Sequence, residues 1–208
     1  MKLRTRHMNR ALSTVLTTII ILVASVVLAT GVVLYGTSLF QISTQQEAIS
    51  VSGMKLWTNA DQDEGYTWGA FTVRNTGDKI LSVDKISVRG EDVPFTQWYP
   101  DTNVTTTILQ QVMNFSGWDT SSAARLAKNP QTACSPTTYL EINIALDEDF
   151  CANAASGPVG LEPGDGAIIY FQLKNGTLAP IDAGISTAVG VFAGKTGAPI
   201  SITVASKS

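Results

Sequence analysis

The sequence predicts an α+β chain: one long hydrophobic α-helix over residues 12–49, then an antiparallel β-sandwich domain over 50–208. Three observations predict it. No charged residue occurs between Arg10 and Glu47, a run of 36 residues from Ala11 to Gln46. Beyond Ser50 the apolar residues alternate with period two in short segments, as half-buried strands require. Gly, Pro, Asn and Asp punctuate those segments, as turns require.

Residues 1–11 carry Lys2, Arg4, Arg6 and Arg10 and no acid. A basic head before an apolar rod is a membrane-insertion signal, and its charge places the N-terminus on the cytoplasmic side. A helix from Leu12 to about Ile49 would be roughly 55 Å long at 1.5 Å per residue, nearly double the roughly 30 Å hydrocarbon core of a bilayer. Its polar tail, Gln41–Glu47, is suited to lie outside. Apolar residues cover every face through Leu39, so the rod must be surrounded by lipid or by protein. Ser25 and Ala29 form one small-xxx-small pair that allows close helix approach. Thr14, Thr17, Thr18, Thr30 and Thr37 can bond back to their own helix carbonyls.

Three fates compete for this segment. A signal peptidase could cut after Ala29, but the apolar run before it has 18 residues, where about 7–15 is usual, and the chain stays apolar afterwards. The rod could stay in the bilayer as a single span. Or the head could be cut off before the rod.

In the outer domain Phe71 and Val73 alternate with Thr72 and Arg74 up to the turn Asn75-Thr-Gly-Asp78. Leu140, Ile142, Ile144 and Leu146 form a second alternating run, and Ala167, Ile169, Phe171 and Leu173 a third, before the turn Asn175-Gly176. Val189 and Val191, then Ile200, Ile202 and Val204, mark the last two strands. From Leu81 and Val83 to Ile86 and Val88 the apolar parity changes, which a bulge near Asp84 would explain. Such spacing with one wet face indicates an antiparallel, Ig-like sandwich. Residues 90–136, with Pro94, Pro100, Pro130 and Pro136, read as an irregular insertion; Ile108–Met113 within it suits a strand or a short helix.

Removing the four basic residues of the head leaves 10 basic against 17 acidic side chains, a net charge of −7. A surface that acidic does not attract nucleic acid. Cys134 and Cys151 are the only cysteines. In an exported domain they read as one disulfide, worth about 3 kcal/mol in the chain-entropy model; two buried free thiols are the alternative.

Catalytic and metal signals are sparse. The only histidine is His7, in the head, which removes the usual general base and zinc ligand once the head leaves. Asp147, Glu148 and Asp149 offer paired carboxylates but read as a solvated turn. Asp61-Gln-Asp63-Glu64-Gly65 has the look of a calcium turn, yet lacks a third ligand position and a distal Glu. No catalytic residue, metal or cofactor is therefore expected. Asn103, Asn114 and Asn175 each begin an Asn-x-Ser/Thr sequon and are candidate N-glycosylation sites. Trp57, Trp68, Trp98, Trp118 and Tyr99 are candidates for a carbohydrate-stacking patch, with Trp98-Tyr-Pro100 the best candidate for an exposed contact.

The junction Asn9-Arg10-Ala11-Leu12-Ser13-Thr14-Val15 resembles the class III signal of archaeal type IV pilins and archaellins. The resemblance implies that residues 1–11 are a signal peptide and that a prepilin peptidase cuts between Ala11 and Leu12. The bacterial version of the family carries Glu at the fifth mature position; here that position is Leu16, which departs from the bacterial pattern and agrees with the archaeal one. Phe71-Thr-Val-Arg-Asn-Thr-Gly77 followed by Ile80-Leu-Ser-Val83 looks like a hairpin common in the family's head domains. Leu161-Glu-Pro-Gly-Asp165 is similar to their turn before a strand, and Val189–Gly197 with Ile200–Val204 to their final hairpin. The resemblance covers residues 7–90 and 160–208.

What it implies is a structural subunit without enzymatic activity, on the cell surface, in an extracellular filament used for adhesion. The precursor would sit in the membrane. An assembly ATPase and a membrane platform protein would then deliver it to a helical homopolymer. Burial of Leu16, Ile19, Ile20, Ile21, Leu22, Val23, Val26, Val27 and Leu28 against sister helices would supply the cohesion. Ala11-Leu-Ser-Thr-Val15 looks closer to pilin than to archaellin, which favours a non-rotating pilus. The rivals are an archaellin of a swimming filament and a monomeric, membrane-anchored surface binding protein.

Overall fold

The computed structural model describes residues 5–43, 46–61, 65–103, 113–128, 134, 138–145 and 148–208. The chain divides into two units, Met1–Gln45 and Gln46–Ser208.

The first unit is a single helix, α1 (Thr5–Ser43), 39 residues long. It begins before Leu12, and it ends at Ser43 instead of continuing to Ile49. Ile49 already belongs to a strand and faces Asn75. Helix propensity alone does not account for α1, because β-branched Ile19, Ile20, Ile21, Val23, Val26 and Val27 crowd its centre. In apolar surroundings, however, a backbone must satisfy its own polar groups, and a helix does so. The hydroxyls follow the same rule. Thr17, Thr18, Thr30 and Thr37 donate to carbonyls three or four residues back, at 2.6–3.1 Å, and Ser25 donates to Ile21 at 2.7 Å.

The second unit is a mostly antiparallel, curled β-sheet domain. Its strands are β1 (Ile49–Asn59), β2 (Thr67–Asn75), β3 (Leu81–Val88), β4 (Glu91–Asp92), β5 (Trp98–Asp101), β6 (Trp118–Asp119), β7 (Ser122–Leu126), β8 (Leu140–Ala145), β9 (Glu148–Ala152), β10 (Val159–Leu161), β11 (Gly166–Gln172), β12 (Ser186–Ala193) and β13 (Thr196–Lys207). Among the described residues nine of them make one hydrogen-bonded sheet in the order β10-β3-β12-β13-β1-β2-β11-β5, with β4 beside β3.

The curl comes from β13, which changes partner along its length. Thr196–Thr203 runs antiparallel to β12, and Val204–Lys207 runs parallel to β1 at Leu56–Asn59. β1 bends too: Gly53, at φ 63°, sits where the register with β2 shifts between Ser52 and Lys55, a bulge that needs a residue tolerant of positive φ. The parity change in β3 has the predicted cause. Val191 faces Ile86 and Phe192 faces Lys85, but Ala193 faces Val83, so Asp84 is the extra residue and all four apolar side chains of β3 reach one core.

That core lies between β2 and β11 on one side and β3 and β12 on the other. Phe71, Val73, Ile169 and Phe171 meet Val83, Ile86, Val88, Val189 and Val191. The opposite face of β2 and β11 is not wet. Trp68, Ala70, Ile168 and Tyr170 join Trp57 and Tyr99 in a second core, covered by Met113, Leu126, Leu140, Ile142 and Phe150. Leu140–Ala145 therefore belongs to a separate two-stranded hairpin, β8–β9, which lies outside the main sheet, as does the β6–β7 hairpin. The supposed insertion is part of the fold: β5 is an edge strand of the main sheet beside β11. Residues 108–112 lie outside the described residues, and Met113 is buried. Cys134 and Cys151 form a disulfide with Cα atoms 5.6 Å apart, tying residue 134 to β9.

Candidate functional site

The most unusual surface of the molecule is the rod. Leu16, Ile19, Ile20, Leu22, Val23, Val26, Val27 and Leu28 are between 55 % and 69 % exposed. Ser13–Leu39, 27 residues, is long and apolar enough to cross a membrane, and its apolar window has no buried residue. At about 1.5–3 kcal/mol per side chain of this size, leaving those eight in water costs on the order of 10–20 kcal/mol. That matches or exceeds the net stability of a whole domain. The polar side chains do not oppose coverage, because the Ser25 and Thr30 hydroxyls are spent on their own helix. Ser25 and Ala29 thus present a small surface with its hydrogen bond already made. Ala11 and Leu12 fall within α1, but their side chains lie outside the described residues.

A second arrangement sits where the chain enters the sheet domain. The Ala48 carbonyl accepts the N–H groups of Thr76 and Gly77 at 2.9 and 3.2 Å, and the Gln46 carbonyl accepts that of Asp78 at 3.2 Å. Glu47 Oε2 accepts the Lys195 N–H at 3.0 Å, in the two-residue turn between β12 and β13. Gly77 has to be glycine here, since a Cβ would collide with the Gln46 carbonyl and lie 2.8 Å from the Ala48 nitrogen.

Asn75 organises this collar. It is fully buried. Its Nδ2 donates to the Lys79 carbonyl at 2.6 Å and to the Leu161 carbonyl at 3.1 Å, and its Oδ1 accepts the Gly77 N–H at 3.0 Å. Its backbone N–H and C=O pair with Asp165 and Gly164. The Asn75-Thr-Gly77 turn and the Leu161–Asp165 turn, far apart in sequence, therefore share one side chain. Sequence reading missed this role by treating Asn75 as a turn residue only. The available signal was an Asn closing a strand directly before a tight Thr-Gly turn.

The three sequon asparagines Asn103, Asn114 and Asn175 are all exposed. Asn103 donates its N–H to Asp101 Oδ1 at 2.9 Å. The Asn114 carbonyl accepts the Tyr170 hydroxyl at 2.9 Å, and burial pushes the Tyr170 phenol well above its ordinary pKa. Asn175 precedes Gly176, at φ 84°, in a turn closed by the Thr177 N–H on the Lys174 carbonyl.

The aromatic residues do not make an exposed stacking patch. Trp57, Trp68, Trp98 and Tyr99 are buried, because each indole or phenol lies on a core face of the sheet. Trp98 donates its indole N–H to the Val93 carbonyl at 3.0 Å and Trp68 to that of Ala124 at 2.9 Å. Trp98-Tyr-Pro100, expected as an exposed contact, is core and edge strand instead. Tyr139 borders a crevice of about 200 Å³, but Tyr99 stacks on it at 5.0 Å and the Arg125 guanidinium lies 4.9 Å from its ring.

Glu148 and Asp149 lie in β9, not in a turn, and Asp147 lies outside the described residues. Asp61 is followed by residues 62–64, which also lie outside them. Among the described residues no group of three or more His, Cys, Asp or Glu could hold a metal. No protein-family model matches this chain and no curated protein matches it.

Proposed function

We propose that this chain is a structural subunit of an extracellular archaeal type IV pilus-like filament, without enzymatic activity. The observation that carries the proposal is the uncharged apolar surface of Ser13–Leu39, unburied in α1, in a chain whose β domain has its own core. A surface of that size needs a permanent cover, and copies of the same rod supply one in a helical homopolymer. The class III-like junction at Ala11-Leu12 supports the same reading. A prepilin peptidase removes residues 1–11, and an assembly ATPase with its platform protein moves the rod from lipid into the bundle. Burial against lipid and burial against sister rods are nearly equivalent, which is why the transfer needs an external energy source.

The curled domain coats the filament as a variant of the Ig-like sandwich, supported by the shared core between β2–β11 and β3–β12. Surface adhesion is its role, and Asn103, Asn114 and Asn175 carry N-linked sugar. N-terminal sequencing of material sheared from the cell surface tests this reading. Leu12 is the expected first residue. Met1 would favour the anchored monomer, and Thr30 a secreted protein without its rod.

A further inference from the structure

We infer that a small cavity beside Asn175 seats the first, neutral sugar of an N-linked glycan on that residue. This inference rests on the glycosylation included in the proposed function and singles out one of its three positions. The cavity, about 110 Å³, is lined by Glu91, Asp92, Val93, Pro94, Gln97 and Leu173, together with Lys174 and Thr177. Lys174 and Thr177 flank the Asn175-Gly176 dipeptide, so the attachment point lies within two residues of the cavity wall. None of the three sequon asparagines is itself in the lining, and Asn103 and Asn114 have no chain neighbour there either.

The lining selects the ligand. Its polar side chains are mainly acceptors: the carboxylates of Glu91 and Asp92 and the amide oxygen of Gln97. Gln97 Oε1 is buried and has no hydrogen-bond partner among the described residues, and a buried acceptor without a donor is costly. Glu91 already accepts the Thr177 hydroxyl at 3.0 Å, and Asp92 accepts the Lys85 ammonium at 2.9 Å. Val93 and Leu173 supply a buried apolar floor. A sugar ring has both complements, hydroxyls that donate and a C–H face that lies on apolar atoms. A uronic acid would meet two carboxylates of like charge. A divalent cation would meet the Lys174 ammonium and too few carboxylates. The volume is room for a few waters or one ring.

Attachment forms one bond, between Asn175 Nδ2 and the anomeric carbon of the sugar. It breaks the bond between that carbon and the phosphate of a lipid-linked donor. The phosphate leaves with the bonding pair, and one amide proton leaves to solvent.

The test combines glycopeptide mass spectrometry with hydrogen exchange on the protein purified from its own cells. Asn175 is expected to be occupied. In Asn175→Gln, exchange in the Glu91–Gln97 segment rises about fivefold, the loss of one net hydrogen bond's protection. Asn103→Gln and Asn114→Gln leave that segment unchanged, and Gln97→Ala with the glycan intact reproduces the rise. An occupied Asn175 with unchanged exchange in Asn175→Gln overturns the seat. A bare Asn175 beside glycosylated Asn103 or Asn114 overturns it too, and leaves glycosylation standing. Three bare asparagines overturn both.

Discussion

Asn75 donates its side-chain amide to the carbonyl of Leu161 at 3.1 Å, across 86 residues of sequence. That bond joins the turn after β2 to the turn before β11. The same turn after β2 takes the carbonyls of Gln46 and Ala48, the first residues of the sheet domain. One buried amide thus fixes where the chain enters the domain.

Asn75→Ala removes two donor bonds and one acceptor bond from a dry site. The expected loss is about 2–4 kcal/mol. For a domain of this size each kcal/mol lowers the melting temperature by about 2–4 °C, so calorimetry of the solubilised chain should show a fall of roughly 5–15 °C. Gly77→Ala should act on the same collar by pushing Gln46 and Ala48 aside, read as faster proteolysis near residues 44–48. A melting temperature unchanged in Asn75→Ala would remove the collar from the account.

Leu16→Asp or Ile20→Asp places a carboxylate on the rod, at about 2.5–3.5 kcal/mol each in an apolar environment. Filaments should be absent by electron microscopy, while the sheet domain unfolds at its usual temperature, because that domain is a separate unit. Normal filaments from either variant would contradict bundle packing.

Reducing the Cys134–Cys151 bond, or replacing Cys151 with Ser, frees a loop closed over 17 residues. The expected cost is about 3 kcal/mol. It should fall on the outer hairpins over the second core, where Phe150 packs against Tyr170 with ring centres 4.8 Å apart. Tryptophan fluorescence should report it through Trp57 and Trp68, which share that core. A fluorescence spectrum and melting temperature that ignore reductant would assign the disulfide no role.

The Asp182 carboxyl is held below the usual carboxylate range, first by the Ala179 N–H and then by Arg89. Its folded pKa is below its unfolded one. The clasp therefore contributes fully above about pH 4, the unfolded value, and is lost as the pH falls through the depressed folded value. Asp182→Asn should lower stability at neutral pH and flatten the acid limb of a stability profile. An acid limb identical in both proteins would mean the clasp is energetically silent.

Much of the fold was written locally. The charge-free run from Ala11 to Gln46 marks a long apolar helix, and Ser13–Leu39 within it is long enough to cross a membrane. The alternation of Val189, Val191, Ile200 and Ile202 marks the final hairpin, and the parity change around Asp84 is the bulge itself. The second core was not visible in that way. Ala167, Ile169, Phe171 and Leu173 mark one face of an alternating run, yet Ala167-Ile-Ile-Tyr-Phe171 is continuously apolar, the pattern of a strand buried on both faces. Its cover comes from β6–β7, whose short strands carry little periodicity, and from β8–β9, whose alternation marks a strand but not its place outside the main sheet. The helix end at Ser43 has no Gly or Pro to mark it, and the pairing of Ile49 with Asn75 that starts the first strand is a tertiary fact. Asn75 shows the general reason: a buried amide serving two distant turns has no signature in either turn alone.

The divided allegiance of Thr196–Lys207 has a consequence during biogenesis. β1 and β12 each keep one unpaired edge until Thr196–Lys207 docks between them. A chain in which that strand has not docked carries two sticky edges and is prone to aggregation. Closure of the sheet domain is thereby tied to the docking of one strand that serves two partners.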